Sequence, residues 1–333
     1  MMMHRRSVAG LLAGLAAPAA AQTTTPMTAA QIAAWPDRPI RLVAPYPPGG
    51  QTDVVARWLA DQLRGVLPQP IVIENRAGAQ GIIGTQAVLA APADGYSVLY
   101  VNASTTLINP VIHPGPPYDT FRDMAPVVQF GTAALVLTVR PDRGITSLQE
   151  LLALARARPG ELSYASFGVG SASHLYGAML EKAAGVQMSH VPYRGSAAAV
   201  QDVIAGHAFM SINDEAVSVP QVQDGRLRAL AVTGTRRIAQ LPDVPTFTEL
   251  GFGGGLEILG FNGLAMRAGT PPAIIRRFAD AVLGVIGTPQ GRERLAVMGL
   301  LVTGLGPEEF ATQLRLDAPV WAQAARDSGA RIE

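Results

Sequence analysis

Apolar and polar positions along the chain alternate between two periods. Ile40-Arg41-Leu42-Val43-Ala44 is a short apolar run stopped by Pro45, and it predicts a strand. Pro47-Pro48-Gly49-Gly50 follows as a loop. Val55, Trp58, Leu59 and Leu63 then fall on one stripe of a helix opened by Thr52 and ended before Pro68. Ile71–Ile73 is a second strand, Asn75–Gly81 a glycine-rich turn, Ile82–Ala91 a second helix and Val98–Val101 a third strand. The pattern restarts after Gly131 with a strand at Leu135–Val139 and a capping box at Ser147–Glu150 in front of a helix. A strand at Leu162–Ser166, a loop at Gly168–Ser173 and a helix from His174 to Ala184 come next. Strands are predicted at Ser189–Val191, Ala208–Ile212 and Leu230–Val232, and a helix from Asp243. Leu256–Met266 is apolar, and three helices finish the chain at Pro272–Gly287, Pro289–Met298 and Pro307–Ser328, the last kinked by Pro319. Continuous apolar strands between helices predict an α/β protein with mainly parallel sheets flanked by helices.

Two apolar segments, near 130–139 and 256–266, join what reads as two lobes. The predicted division is 35–135 plus 260–333 for the first lobe and 136–259 for the second. Two crossing segments make a hinge, and ligands of open α/β sheets bind beyond the C-terminal strand ends, so the cleft between the lobes is the predicted site.

The first residues read as an address. His4, Arg5 and Arg6 precede an apolar run from Val8 to Ala17, and Pro18 and Ala19-Ala20-Ala21 supply a small-residue cleavage pattern. Residues 1–21 are therefore expected to be a signal peptide cleaved near Ala21, and 22–34 a flexible leader. The Arg5-Arg6 pair leaves twin-arginine export open beside the general route.

Composition narrows the chemistry. The 333 residues are 48% hydrophobic and hold no cysteine, which excludes disulfides, zinc–thiolate sites and cysteine nucleophiles. Lys and Arg total 26 against 25 for Asp and Glu, a balance that argues against nucleic acid as partner. Lys182 is the only lysine, and the Gly-Lys-Ser/Thr of a phosphate-binding loop is absent. The five histidines show no metal-ligand spacing, so no metal or cofactor is expected.

Candidate chemistry sits in loops at strand ends. Tyr46 to Asp53 joins a strand to a helix start, where glycines admit close backbone approach and the helix N-terminus favours an anion; Thr52 or Asp53 is equally suited to a simple cap. Ser166 to His174 repeats this arrangement in the other lobe. It matches neither the dinucleotide fingerprint, having Ser173 in place of the last glycine, nor G-x-S-x-G. A Ser171/His174 catalytic pair would make the protein a secreted hydrolase; the alternative is a ligand-side or domain-contact histidine. Asn75–Gly81 is either a third wall of the cleft or a surface turn. Arg194, in His190–Gly195, pairs with a carboxylate or braces the lobes. Ser104 and Thr105, and Asn213 and Asp214, follow strands and are placed to bond a ligand or to cap.

An ordered set of segments resembles the extracytoplasmic solute receptors of tripartite tricarboxylate transporters, the Bug family. The segments are Trp35–Ile40, Pro47–Asp53, Glu74–Gly81, Asp94–Tyr96, Gly168–Leu175, His190–Gly195, Leu230–Thr233 and Leu241–Glu249. The resemblance implies a two-lobed, type II-like periplasmic binding protein that closes like a Venus flytrap on a small ligand, and not an enzyme. It implies a partner in the transporter's permease subunits, with a membrane signalling partner as the alternative; a monomer is the default expectation. Similar proteins hold a ligand carboxylate with backbone N–H groups of facing loops, often through ordered water. Ligand contact is thereby carried onto Tyr46, Pro48, Gly49, Gly50, Thr52 and Asp53 in one loop and Gly170, Ser171, Ala172, Ser173 and His174 in the other. Ala79, Gln80, Ser104, Thr105, Tyr193 and Asn213 complete the expected set. Gln80, where many relatives have glycine, and the polar stretch Phe209–Glu215 depart from the family pattern in the distal pocket. Dicarboxylates, tricarboxylates, aromatic acids and amino acids all suit such a site.

Overall fold

The computed structural model describes residues 27–330. The predicted signal peptide lies outside them. In chain order the elements begin with α1 (Ala29–Ala34), β1 (Ile40–Ala44), α2 (Gln51–Gln62), β2 (Ile71–Asn75), α3 (Ile82–Leu89) and β3 (Ser97–Asn102). Then come α4 (Asn109–Ile112), α5 (Thr120–Asp123), β4 (Met124–Ala133), β5 (Leu135–Val139), α6 (Leu148–Ala157), β6 (Ser163–Ser166) and α7 (Ala172–Ala184). The second half continues with β7 (Ser189–Pro192), α8 (Ser196–Ala205), β8 (Met210–Asp214), α9 (Glu215–Gln223) and β9 (Arg228–Val232). The chain ends with β10 (Gly260–Arg267), α10 (Pro272–Ile286), α11 (Pro289–Val297), β11 (Leu301–Leu305) and α12 (Pro307–Asp327).

These strands form two sheets. One has six strands in the order β11-β4-β10-β3-β1-β2, the other five in the order β7-β6-β8-β5-β9. The mainly parallel sheets expected from the apolar runs are mixed. β1 pairs parallel with β2 and β3, and β6 with β7 and β8, whereas β10, β4 and β11 in one sheet and β5, β8 and β9 in the other pair antiparallel. The reason is connectivity: β4 hands the chain to the second sheet across Ala134 alone, and β10 brings it back, so neither strand has a helical crossover to its neighbour.

Several local expectations are corrected. The stretch 22–34, expected as a flexible leader, contains α1, capped by Thr28, whose hydroxyl accepts the Gln31 N–H. Asp243 opens turns closed by Glu249, whose carboxylate accepts the Thr246 N–H at 2.7 Å, and no helix. β4 escaped the pattern because Pro126, Gln129 and Gly131 interrupt its apolar run. β11 has a partner on one side only and a half-exposed sequence, so it shows no apolar alternation. α12 runs through Pro319 without ending.

Packing explains why the elements hold. The face of the six-stranded sheet under α2 and α10 buries Trp35, Leu59, Tyr100 and Phe278, with Trp35 and Phe278 edge to face at 6.2 Å. The opposite face, with Val43 and Leu99, is continuous with a core that includes Leu137, Tyr164 and Tyr176 of the second sheet and its helices. α12 joins them: Trp321, fully buried, meets Tyr176 of α7 edge to face at 5.7 Å.

Candidate functional site

The parallel halves of both sheets aim their C-terminal strand ends at one place. A cavity of about 210 Å³ lies there, lined by residues of both sheets and their loops. That is small beside the roughly 300–1,000 Å³ typical of pockets for drug-sized ligands. Tyr46, Pro48, Gly50, Thr52 and Ser104 line it from one side. Phe167, Ala172, Tyr176, Arg194, Ser196 and Asp214 line it from the other, and Phe261 and Asn262 of β10 close the hinge side.

Helices α2, α7, α8 and α9 begin at this cavity. α2 is capped by Gly50 and α8 by Gly195, and neither has a side-chain cap on its first N–H groups. Those donors carry the partial positive charge of a helix start, and no capping oxygen satisfies them. α7 differs. Ser171 caps it, accepting the His174 N–H at 3.2 Å, and its Ala172 N–H donates to Ser104 Oγ of the other sheet's loop at 3.2 Å.

The first loop is held from beneath. Asp53 Oδ2 accepts the Gly49 N–H and Arg57 Nε, both at 3.1 Å, while Oδ1 accepts Asn75 Nδ2 at 3.0 Å. Burial alone would raise the Asp53 pKa, but Arg57, Gly49 and Asn75 together bring it below the ordinary value. Asn75 Nδ2 also donates to the Tyr46 carbonyl at 3.2 Å. Tyr46 in turn donates its hydroxyl to Asn102 Oδ1 at 3.3 Å, and burial raises its pKa to about 12.

Of the expected contacts, Tyr46, Pro48, Gly50, Thr52, Ser104 and Ala172 line the cavity. The other expected residues are absent from its lining. Gly49 and Asp53 form the brace just described. Thr105 caps its own turn against Asn102. Ser171 Oγ donates to the Gly168 carbonyl at 2.7 Å, and Ser173 Oγ to the Ile212 carbonyl. His174 Nδ1 accepts the Gly170 N–H at 3.0 Å. Ser171 and His174 are therefore each engaged by backbone, and no hydrogen bond joins the serine hydroxyl to the imidazole. Ala79 and Gln80 both adopt positive φ (45° and 56°), with the Gln80 amide against Gly168 of the facing loop. Tyr193 packs beside the α8 core. Asn213 is fully buried and does not reach the cavity; its neighbour Asp214 does. Successive strand residues face opposite sides of a sheet, and the sequence does not say which side looks at the cleft. Phe167, Tyr176 and Asn262 carry no motif and become visible only once both sheets are assembled.

The profile of the "Tripartite tricarboxylate transporter family receptor" (TctC) matches residues 55–309. The chain belongs to this family. A Pseudomonas sp. (strain P51) protein, the UPF0065 protein in the tcbD-tcbE intergenic region, is 38% identical over 96% of this chain and 92% of its own length. Among solved structures, an R. palustris protein with adipate superposes with a TM-score of 0.85 at 31% identity, covering 90% of this chain and 100% of that one. The periplasmic binding protein BugD superposes at 0.83 with 30% identity over the same shares. The TctC receptors are solute-binding proteins of the periplasmic class, not enzymes, and this member has their two mixed sheets flanked by helices.

Proposed function

We propose that this TctC receptor binds a small carboxylate-bearing solute in the cavity between its sheets and delivers it to the permease of a tripartite tricarboxylate-type transporter. One observation carries the reading: α2 and α8 start at the same cavity from opposite lobes, each with a glycine cap and no side-chain oxygen on its first N–H groups. A ligand carboxylate settles on one set of donors, and closure adds the other while excluding water, which strengthens each charge–dipole contact. The ligand thereby favours the closed shape, which a membrane partner reads. The adipate in the R. palustris relative supports this class of ligand. Arg5, Arg6 and the apolar run behind them support export, with cleavage near Ala21.

The test is calorimetry on the exported form with a panel of organic acids and their uncharged amides. One-to-one binding of an acid, lost in its amide, is the expected result. Equal binding of both, or heat from neither, would overturn the carboxylate reading.

A further inference from the structure

The cavity holds a carboxylate of its own. Asp214 ends β8 and occupies the N-cap position of α9, yet its side chain makes no cap bond to that helix. It turns to the cavity instead. Ser196 donates its hydroxyl to Oδ2, and among the described residues no donor reaches Oδ1. Nor does any arginine, lysine or histidine form an ion pair with Asp214 among those residues.

Its neighbours offer no relief. Tyr46 gives its hydroxyl to Asn102 and Tyr100 gives its own to Asn262 at 2.9 Å, so neither phenol turns its proton to Asp214. Glu215 Oε1, next in sequence, accepts the Ala134 N–H on the hinge. Burial pushes the Asp214 carboxyl above its ordinary pKa, with Ser196 alone opposing. Arg194 lines the same cavity but forms no ion pair with Asp214, and a buried carboxylate without a paired charge is costly, a cost that falls when a partner charge arrives.

We infer that Asp214 selects a ligand that carries an ammonium group besides its carboxylate, an amino acid rather than a dicarboxylate. This rests on the carboxylate-receptor reading above and sharpens it. The ligand's carboxylate lies on the glycine-capped helix starts, and its ammonium donates to the free Oδ1 of Asp214. A dicarboxylate of equal length would set a second anion against Asp214, an unfavourable contact that excludes it. Phe167, Tyr176 and Phe261 then enclose the carbon skeleton.

Calorimetry on the whole exported protein tests this with amino acids and dicarboxylates of matched chain length, namely 3-aminopropanoate with succinate and 4-aminobutyrate with glutarate. The readout is the ratio of affinities within each pair. Amino acids are expected to bind at least tenfold tighter in at least one pair. In Asp214→Asn, nearly isosteric, and Asp214→Ser, smaller, that ratio should fall at least tenfold, with thermal melts showing that both variants fold. A wild-type preference for dicarboxylates, or a ratio unchanged in either folded variant, would overturn the assignment to Asp214 while leaving the carboxylate reading intact. No binding of any acid would overturn both.

Discussion

His174 and His190 stack with ring centroids 3.8 Å apart and 10° between planes, directly behind the second cleft loop. Each ring has a fixed task. His174 Nδ1 accepts the Gly170 N–H, which requires that nitrogen to be unprotonated, and His190 Nε2 bonds Ser166 Oγ at 2.6 Å. Burial lowers the His174 pKa from 6.5 to about 4, and burial with His174 beside it lowers that of His190 to about 3.

Both folded values lie below the unfolded one, so the unfolded chain takes up protons first as pH falls. Stability contributed by the neutral pair is complete above pH 6.5 and is lost as pH falls through about 4 for His174 and about 3 for His190. His174 alone accounts for roughly 3 kcal/mol at ~1.4 kcal/mol per pKa unit. Thermal melts between pH 7.5 and 4 should show this loss, with a shallower slope in His190→Gln. An identical slope in that variant would show that the pair does not govern acid stability.

Asp53→Ala removes the acceptor that fixes the Gly49 N–H and the anchor shared by Arg57 and Asn75. The first cleft loop loses its floor while the sheets keep their packing. Ligand affinity should fall about tenfold, close to 1.4 kcal/mol, and the melting temperature by a few degrees. Undiminished affinity would mean that the loop holds its shape without this brace.

The legible part of the fold was its apolar strands. Ile40–Ala44 and Leu135–Val139 are buried almost end to end, and so they stood out as continuous runs. The α6 start was equally plain, with Ser147 accepting the Glu150 N–H at 3.2 Å as the local sequence implied. What could not be read was set by distant partners. β4 carries Pro126 and Gly131 within a strand because β10 and β11 flank it on both sides. The site divided in the same way. Tyr46 and Gly50 line the cavity at a strand–glycine–helix junction that announces itself locally, whereas Asp53 and Ser171, at similar junctions, bond the backbone of their own loops. The choice of Asp214 over Asn213 depended on strand parity relative to a cleft that exists only when both sheets are in place.

Glu215 makes the opposite pH prediction to the histidines. It is 7% exposed, and burial raises its pKa from 4.5 to about 8 against the Ala134 N–H, which pulls it down. The folded protein therefore keeps a proton that the unfolded chain releases above pH 4.5, and stability is lost as pH rises from 4.5 to 8. Glu215→Gln retains an oxygen for the Ala134 N–H and never ionises. It should stabilise the protein by roughly 2–4 kcal/mol at pH 9 and by little at pH 5, on the same ~1.4 kcal/mol per unit reduced for relaxation. Denaturant melts at the two pH values decide it: a gain independent of pH would show that the carboxyl ionises freely in the folded state.

Gly168 and Gln80 meet across the cleft, and their contact predicts a coupled pair of substitutions. Gly168 has φ +139°, and a Cβ added there would lie 2.4 Å from both the nitrogen and the oxygen of the Gln80 amide. Gly168→Ala thus imposes two separate costs. The backbone strain, about 1–3 kcal/mol, stays within one loop. The collision drives Gln80 outwards and holds the lobes apart, which should weaken ligand binding at least tenfold. Gln80→Ala removes the obstructing amide and adds no strain of its own, because Gln80 already bears positive φ. In the double variant affinity should recover to within about threefold of Gln80→Ala alone, while the loss of thermal stability from strain persists. A double-mutant cycle on affinity separates the two costs. Strictly additive effects would assign the whole loss to backbone strain and remove the inter-lobe contact from the account of closure.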